Sequence, residues 1–167
     1  TSLRAYDQSV SNVKTLEALA SGLPQVFADP HHVKQVLLNL MVNAEQAMLE
    51  AHGHGILVVR TWHDPENDTV ILEVNDDGPG VPDNVQEKIF DPFFTTKDSD
   101  SGSGFGLYNA KLYVEDHKGG IGFVSTVGSG TTFYIYLPLI EDEADKGDRK
   151  RRSVRRATRT FVKPRKR

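Results

Sequence analysis

An apolar run in the middle of the chain leads directly into a segment rich in acid, glycine and proline. The run, residues 69–74, has the composition of a strand, and it reaches Asp76 and Asp77 just before Gly78 and Gly80. A carboxylate only accepts hydrogen bonds, so Asp76 can hold an amine donor, and glycine leaves room for another group to approach the backbone. The same residues are common in ordinary turns, so the stretch by itself fits both a pocket floor and a turn. Asp77 is interpreted as a turn residue that faces water.

A long helix with a polar line along it is predicted before this stretch. Asp29 followed by Pro30 is typical of a helix start, and apolar residues keep helical spacing to about Ala51. Four amide side chains at helical spacing share one face of this helix: Gln35, Asn39, Asn43 and Gln46. Apolar residues, among them Leu38 and Val42, flank that face. Because buried amides need partners, the pattern fits a helix that lines a pocket, with a solvent-facing stripe as the alternative.

A second glycine-rich segment opens another predicted helix. It contains Gly102, Gly104 and Gly106, and the helix continues to about His117. Unpaired N–H groups and the dipole at such a helix start favour an anion such as phosphate. Leu107 stands where the dinucleotide-binding fingerprint has its third glycine, and no Gly-Lys-Ser/Thr is present. The segment therefore indicates phosphate contact through the backbone, but it is neither that fingerprint nor a P-loop.

The segment from Phe90 to Lys97 lies between the two glycine-rich stretches. Three phenylalanines surround a proline in it, and Thr95, Thr96 and Lys97 end it. The threonines and the lysine could donate hydrogen bonds to phosphate oxygens. A hydrophobic anchor for a surface loop is the other interpretation, and the two are compatible.

Turn residues divide most of the remaining chain into short apolar segments. The predicted strands are 13–19, 25–28, 56–62, 69–75, 121–126 and 131–139, and a short helix is predicted over 83–89. The first two strands would flank a turn at Ser21 to Pro24. The ordered body is predicted to end near Ile140.

The charge of the chain is divided between two parts. The net charge of −3 combines residues 1–145, where 22 acidic and 8 basic residues give −14, with residues 146–167, where 12 basic residues and one acidic residue give +11. The composition of 141–167, first acidic and then basic, predicts a disordered tail whose basic part can contact acidic surfaces. Phe161 is the only aromatic residue of this tail, so base stacking with nucleic acid is disfavoured.

Several classes of site and location are excluded or favoured by composition. The chain has no cysteine, which excludes disulfides, thiolate catalysis and zinc–thiolate sites. It has no apolar run of about 18 residues, so no membrane span is predicted, and its start has no signal-peptide pattern. A cytoplasmic location is expected, with any membrane anchor in parts of the parent protein outside this chain.

Four motifs stand in one order within residues 13–140. They are Asn39-Leu-Met-Val-Asn43, Asp76-Asp-Gly78-Pro-Gly80, Phe90-Asp-Pro-Phe-Phe-Thr-Thr-Lys97 and Gly102-Ser-Gly104-Phe-Gly106-Leu107. This order resembles the catalytic ATP-binding domain of bacterial sensor histidine kinases, in the GHKL superfamily shared with gyrase, MutL and the large heat-shock chaperone. The resemblance implies a Bergerat-type fold: an α/β (α+β) two-layer sandwich whose mixed, mostly antiparallel sheet carries its helices on one face.

The resemblance also implies ATP and Mg²⁺ as cofactors and gives roles to individual residues. Asn43 would hold Mg²⁺ through its side-chain oxygen, and Asn39 would line the same site one turn earlier. Asp76 would accept the adenine amine. With Lys97, the two asparagines are the residues expected at the chemistry. The nucleotide-contacting set that the resemblance implies is Asn39, Asn43, Asp76, Gly78, Gly80, Phe90, Thr95, Thr96, Lys97, Gly102, Gly104, Phe105, Gly106, Leu107 and Thr131.

Two positions depart from the family pattern. Asn39 stands where the ATP-hydrolysing relatives have a glutamate that activates water, and an amide cannot act as a general base. This favours a kinase over a gyrase-type or chaperone-type hydrolase. Gln46 stands where many sensor kinases have a lysine, which leaves Lys97 as the candidate for that phosphate contact.

None of the six histidines lies in the His-Glu type of helix motif that sensor kinases phosphorylate. The chain is therefore expected to donate the γ-phosphate of ATP to a histidine on a separate dimerisation domain, of the same or another chain. A response regulator would be an indirect partner, and residues 1–12 the remnant of an upstream connection. Two alternatives stay open: a nucleotide-binding regulatory module without transfer activity, and a GHKL-type ATPase subunit.

Overall fold

The computed structural model describes the backbone of residues 4–7 and the full residues 12–95 and 105–140. Its elements are the strands β1 (Arg4–Asp7), β2 (Val13–Ala18), β3 (Gly55–Asp64), β4 (Thr69–Asp76), β5 (Gly120–Thr126) and β6 (Gly130–Pro138), the helices α1 (Pro30–His52) and α2 (Gly106–Asp116), and a 3₁₀ helix (Asp83–Lys88). Thr96, Lys97, Gly102, Gly104 and the tail 141–167 lie outside the described residues. Neither helix of the described part is both long and apolar enough to cross a membrane.

The six strands form one mixed sheet in the order β1-β2-β3-β4-β6-β5. Of the described strand pairs, β2 and β3 are parallel and the others are antiparallel. In the register of β4, Asp76 lies opposite Leu57 of β3 on one side and Thr131 of β6 on the other. The mixed, mostly antiparallel sheet of the sequence prediction is confirmed, and the pairing brings the end of β4 next to the start of β6.

Helix α1 has the ends that its sequence predicts. The Asp29 side chain accepts a hydrogen bond from the backbone N–H of His31 at 2.8 Å, and Pro30 fills the first turn. Gly53, with φ 72°, ends the helix and donates its N–H to the Leu49 carbonyl. The buried stripe of the helix consists of Val36, Leu40, Ala44 and Met48.

Both helices pack on the same face of the sheet and enclose the core. Ala110 and Val114 of α2 are buried in the cluster that includes the α1 stripe. The sheet supplies Val74 of β4 and Phe133 of β6, which lie opposite each other in the register. Because one layer is helical and the other is the sheet, the architecture is a two-layer sandwich, as predicted.

The imidazole ring of His117 links the start of α1 to the end of α2 through hydrogen bonds. The Asp29 N–H donates to His117 Nε2 at 2.8 Å, and His117 Nδ1 lies 2.6 Å from the Tyr113 carbonyl oxygen. A backbone N–H can only donate and a carbonyl can only accept, so the ring is neutral and carries its proton on Nδ1. The ring of His32 stacks on Tyr113, with centroids 4.8 Å apart.

Two sequence predictions are corrected by the fold. The predicted strand 25–28 is wrong, because its only ladder contact is an isolated bridge between Val26 and Leu139. Pro24 and Pro30 bracket that segment and lack the N–H donors that would extend a ladder. Instead β2 pairs with β1, a strand that was not predicted, so the predicted boundary at residue 12 falls inside the sheet. The short helix predicted over 83–89 is confirmed, as a 3₁₀ helix over Asp83–Lys88.

Candidate functional site

A cavity of about 850 Å³ lies between α1, the ends of β4 and β6, and the start of α2. Its walls bring together eight of the residues that the sequence singles out, although they are spread over most of the domain. These residues are Asn39, Asn43, Asp76, Gly80, Thr95, Gly106, Leu107 and Thr131. The polar line of α1 faces this cavity along its whole length, from Gln35 to Gln46. The helix is therefore a pocket-lining helix and not one with a solvent-facing stripe.

The first half of the polar line is joined to the start of α2. Gln35 Nε2 donates to Asn39 Oδ1 at 3.0 Å, and Asn39 Nδ2 donates to the Gly106 carbonyl at 3.1 Å. A Cβ on Gly106 would stand 3.6 Å from Asn43 Nδ2, so the glycine lies directly over Asn43. The half-buried amide of Asn43 has no hydrogen-bond partner among the described residues, and it faces the cavity.

The carboxylate of Asp76 lies at the other end of the cavity. It is only 6% exposed, and its Oδ1 accepts hydrogen bonds from the backbone N–H groups of Gly78 at 2.9 Å and Thr131 at 3.2 Å. No hydrogen bond from a described residue reaches Oδ2. One oxygen is therefore fixed by the fold, and the second remains for a donor in the cavity.

Burial raises the pKa of Asp76 above the ordinary value for aspartate. The hydrogen bonds from Gly78 and Thr131 oppose this change in the pKa, and the charge of Asp77 adds a smaller increase. Desolvation dominates because the carboxylate is enclosed by the sheet and by α1. A partly desolvated acceptor of this kind is strongly complementary to a neutral amine donor, which would satisfy its free oxygen.

The loop after β4 packs against the β5–β6 hairpin. Gly80 has φ 77°, and a Cβ there would lie 2.5 Å from the Thr126 carbonyl oxygen. The Gly128 N–H donates to the Pro79 carbonyl at 2.8 Å, and the Val81 N–H donates to Ser125 Oγ at 2.7 Å. Contacts within the protein thus require glycine at position 80, in addition to any approach of a ligand to the backbone.

The neighbouring carboxylate has a different role. Asp77 is exposed, as expected, but its Oδ1 accepts the backbone N–H of Ile56 at 2.8 Å. It therefore fastens the end of β4 to the start of β3 and is not simply a turn residue facing water. It does not line the cavity with Asp76.

The first turn of α2 offers backbone amides. Phe105 precedes the helix and provides no side-chain cap, and the first helical hydrogen bond runs from the Asn109 N–H to the Phe105 carbonyl at 2.8 Å. The amides of residues 106–108 therefore come before the first helical donor. Together with the helix dipole they form an anion-attracting end next to Asn39 and Asn43.

Three predicted residues are not on the cavity wall. Gly78 is buried behind Asp76, because a Cβ there would lie 2.9 Å from Asp76 Oδ1. Phe90 packs edge-to-face on Phe123 at 5.9 Å, so it belongs to the core side of its segment. Phe105 packs on Phe93 at 4.6 Å, across the two ends of the undescribed segment 96–104.

Sequence reasoning assigned no ligand contact to several wall residues. Leu38 and Val42 lie on the wall next to the asparagines. Their helical spacing beside the polar line is the sequence pattern that could have indicated this position. Pro79, Val81 and Phe94 also line it, and they follow motif residues directly. Their positions depend on how loops fold back over α1, which no local pattern reveals.

The residues present fit a magnesium ion that is shared with a phosphate ligand. Asn43 offers one amide oxygen, the kind of donor that Mg²⁺ accepts. No group of three or more His, Cys, Asp or Glu within 12–95 and 105–140 could hold a metal ion by itself. An ion here would therefore take its remaining ligands from phosphate oxygens and water, as Mg²⁺ commonly does.

Comparison with known proteins gives a consistent result. Residues 28–141 match the family described as "Histidine kinase-, DNA gyrase B-, and HSP90-like ATPase". The sensor kinase CckA of Brucella abortus (strain 2308) is 40% identical over 150 residues, which cover 80% of this chain and 16% of CckA. The chain spans 16% of the length of CckA and 26% of the length of the sensor protein RprX of Bacteroides fragilis (strain YCH46), which is 33% identical over 136 residues.

Solved structures agree with the sequence match. Full-length ShkA in complex with AMPPNP superimposes with a TM-score of 0.66 and 26% identity, over 78% of this chain and 26% of that chain. The nucleotide-free catalytic domain of the histidine kinase ThkA gives a TM-score of 0.64 and 32% identity, over 76% of this chain and 80% of that one. The protein therefore belongs to the family of histidine kinase-, DNA gyrase B- and HSP90-like ATPases, with the fold of histidine kinase catalytic domains.

Proposed function

We propose that this chain binds Mg-ATP in the cavity along α1 and donates the γ-phosphate to a histidine on a separate dimerisation domain. The observation that carries the proposal is the buried Asp76 carboxylate, whose Oδ2 has no described partner, at the end of the cavity opposite the uncapped start of α2. An amine donor and an anion are the two ligand groups that these ends select, and ATP contains both.

The spacing of the two ends along α1 supports this orientation of the nucleotide. Asn39 contacts Gly106 at one end, and Met48 lies beside Gly78 and Asp76 at the other. Nine residues of α-helix separate Asn39 from Met48, which corresponds to about 13 Å. The proposal places the adenine amine at Asp76 and the phosphates at Gly106 and Asn43, towards the two ends of that length.

The residues of the cavity perform positioning and charge neutralisation, which is what phosphoryl transfer requires. Asn43 would hold the Mg²⁺ ion, which supplies charge neutralisation on the phosphate oxygens. The amides of residues 106–108 would hold the same oxygens from the α2 side. In the transfer, the P–O bond between the β- and γ-phosphates breaks and a P–N bond forms on the incoming imidazole, with ADP as the leaving group.

The wall does not favour the ATPase alternative. Glu50 is an exposed carboxylate on the wall, but it lies about 10 Å further along α1 than Asn43, at the adenine end. At the phosphate end, Asn39 is bonded to Gly106 and has no basic oxygen for a water molecule. The proposal therefore takes the attacking group from a histidine on another domain.

The proposal is tested by mixing the chain with Mg²⁺, radiolabelled ATP and the histidine-bearing dimerisation domain of a related sensor kinase. We expect acid-labile, base-stable phosphate on the added domain, and at least a tenfold loss with Asn43→Ala or with a magnesium chelator. Asn84→Ala is the matched control, because Asn84 is exposed on the 3₁₀ helix and away from the cavity wall.

The other outcomes of this experiment separate the alternatives. ATP binding without phosphate on any supplied domain would favour a regulatory module. Steady phosphate release by the chain alone would favour an ATPase subunit. A chain that binds no ATP would contradict the proposal altogether.

The raised pKa of Asp76 predicts a pH dependence of ATP affinity. The ionised carboxylate accepts the adenine amine, so affinity falls as the pH drops through the raised pKa, at a higher pH than for an exposed aspartate. ATP binding measured by calorimetry from pH 7.5 to pH 5 checks this. The phosphates and the histidines are the same in the wild type and in Asp76→Asn. Any difference between their two profiles of ATP affinity against pH is therefore caused by the carboxyl group of Asp76. Parallel profiles would contradict the prediction.

The surroundings of the domain are also proposed. We infer a domain over 4–140, which includes β1, with a cytoplasmic location, a response regulator as indirect partner and a basic segment 146–167 that contacts acidic surfaces. The net charge of +11 on that segment supports the last point, since its 12 basic residues outnumber one acid.

A further inference from the structure

A chain of two amide hydrogen bonds runs along the cavity wall, from the exposed Gln35 to the start of α2. Gln35 Nε2 donates to Asn39 Oδ1 at 3.0 Å, and Asn39 Nδ2 donates to the Gly106 carbonyl at 3.1 Å. The direction of both bonds is fixed by the last acceptor. A carbonyl only accepts, so Asn39 must present its NH₂ to Gly106 and its oxygen to Gln35, which must then be the donor.

The Gly106 carbonyl belongs to the first residue of α2. Phe105 gives this helix start no side-chain cap, so a bond from Asn39 is the polar contact that links it to α1. Gly106 has no side chain that could pack and hold the turn in place. The bond from Asn39 thus adds a polar restraint on the first turn of α2, which Leu107 also holds by packing against the core.

Gln35 adds a second hydrogen bond to the orientation of the Asn39 amide that the Gly106 carbonyl fixes. If the Asn39 side chain rotated by 180°, its oxygen would face the Gly106 oxygen and the bond would become a repulsion. Gln35 is exposed and outside the buried stripe of α1, so its removal takes little from the core. It acts on the amide of Asn39 and through it on Gly106.

We propose that Gln35 is a positioning residue that raises the affinity of the cavity for the phosphate chain of its nucleotide, by holding the Asn39 amide in the orientation that bonds the first residue of α2. This inference rests on the proposed function, because it takes the α2 start as the phosphate end. It assigns Asn39 a role as a tether of the phosphate-binding turn, one helical turn away from the metal-holding Asn43.

The proposal predicts that Gln35 variants change the binding of ATP but not the binding of adenosine. Gln35→Met keeps the length of the side chain but lacks the donor, and we expect ATP affinity to fall about fivefold, the effect of one hydrogen bond. Gln35→Glu presents an acceptor that draws the Asn39 NH₂ away from Gly106, and we expect a loss of about tenfold. Adenosine, which has no phosphate, should bind all three proteins equally. Binding is measured by calorimetry for ATP and by NMR titration for adenosine.

A double-mutant cycle supplies the readout that a general structural role would not give. In the Asn39→Ala background, Gln35→Met should change ATP affinity by less than twofold, since its target is gone. Lys34→Met is the matched control on the same helix, because Lys34 is exposed and outside the cavity wall, and its ATP affinity should equal that of the wild type.

The remaining outcomes contradict either the positioning role of Gln35 or the proposed function. Equal losses for ATP and adenosine, or the same loss with and without Asn39, would overturn the positioning role and leave the proposed function standing. If the wild type binds ATP and the Gln35 variants bind it equally tightly, the positioning role is also wrong and the proposed function stands. A wild-type chain that binds adenosine and ATP equally weakly would overturn the proposed function itself.

Discussion

Replacement of Asp76 by asparagine is expected to weaken ATP binding by about 10- to 100-fold while the domain stays folded. The asparagine oxygen can still accept the N–H groups of Gly78 and Thr131, which bond Oδ1 in the native protein. Its NH₂ then occupies the place of Oδ2, so that a donor faces the donor of the adenine amine. Isothermal titration calorimetry with Mg-ATP measures the loss.

The same substitution is expected to leave the free energy of unfolding of the nucleotide-free domain unchanged or higher. Burial raises the pKa of Asp76, which means that the ionised carboxylate is less stable in the folded domain than in water. With a raised pKa in the folded state, the stabilising contribution is greatest below the ordinary aspartate pKa and is lost as the pH rises through the folded value. At neutral pH Asp76 is ionised and buried at a cost that asparagine does not have. Urea denaturation measures the resulting difference in the free energy of unfolding.

Asp77→Asn is the matched control for both measurements. Asp77 is the adjacent carboxylate, but it is exposed, off the cavity wall, and bonded to the Ile56 N–H through an oxygen that asparagine retains. Its ATP affinity should stay within twofold of the wild type. Equal losses for the two variants would show that charge in general, and not the position of Oδ2, governs binding, and the proposed adenine contact would then be wrong.

Local signals are sufficient for the parts of the domain that a single segment specifies. The N-cap at Asp29 and the apolar spacing predict α1 with an end at Ala51, and the helix ends at His52. The amide line predicts that α1 borders a pocket, and the cavity wall contains that line. These features follow from the 3.6-residue period and from capping, which need only neighbouring residues.

Long-range pairing is what the sequence could not supply. The short strand Arg4–Asp7 is specified by the edge of β2 more than by its own residues, and the parallel pairing of β2 with β3 joins segments separated by all of α1. The roles of the site residues are limited in the same way. Asn39 is predicted from the sequence to line the metal site one turn before Asn43, whereas its hydrogen bond to Gly106 crosses 67 residues and appears only in the folded chain.

The close packing around Asp76 also depends on the β5–β6 hairpin, which lies next to the end of β4. Gly130 begins β6 with φ 121°, and a Cβ there would lie 2.1 Å from the Asp76 carbonyl oxygen. The next residue, Thr131, donates its N–H to Asp76 Oδ1. The backbone of Asp76 and its carboxylate are thus both positioned by two consecutive residues of the same strand.

Gly130→Ala is therefore expected to lower the free energy of unfolding by about 3–5 kcal/mol, from backbone strain together with a clash against a backbone that cannot move alone. Gly128→Ala in the same turn separates the two causes. Gly128 also has a positive φ, of 82°, but a Cβ there meets nothing within 4 Å, so only the strain of about 1–2 kcal/mol remains. Urea denaturation of the two variants measures the difference, and loss of a cooperative transition in Gly130→Ala alone would agree with it. Equal destabilisation of the two variants would mean that the Cβ at position 130 is accommodated without cost, which would contradict the close packing of β6 against the Asp76 backbone.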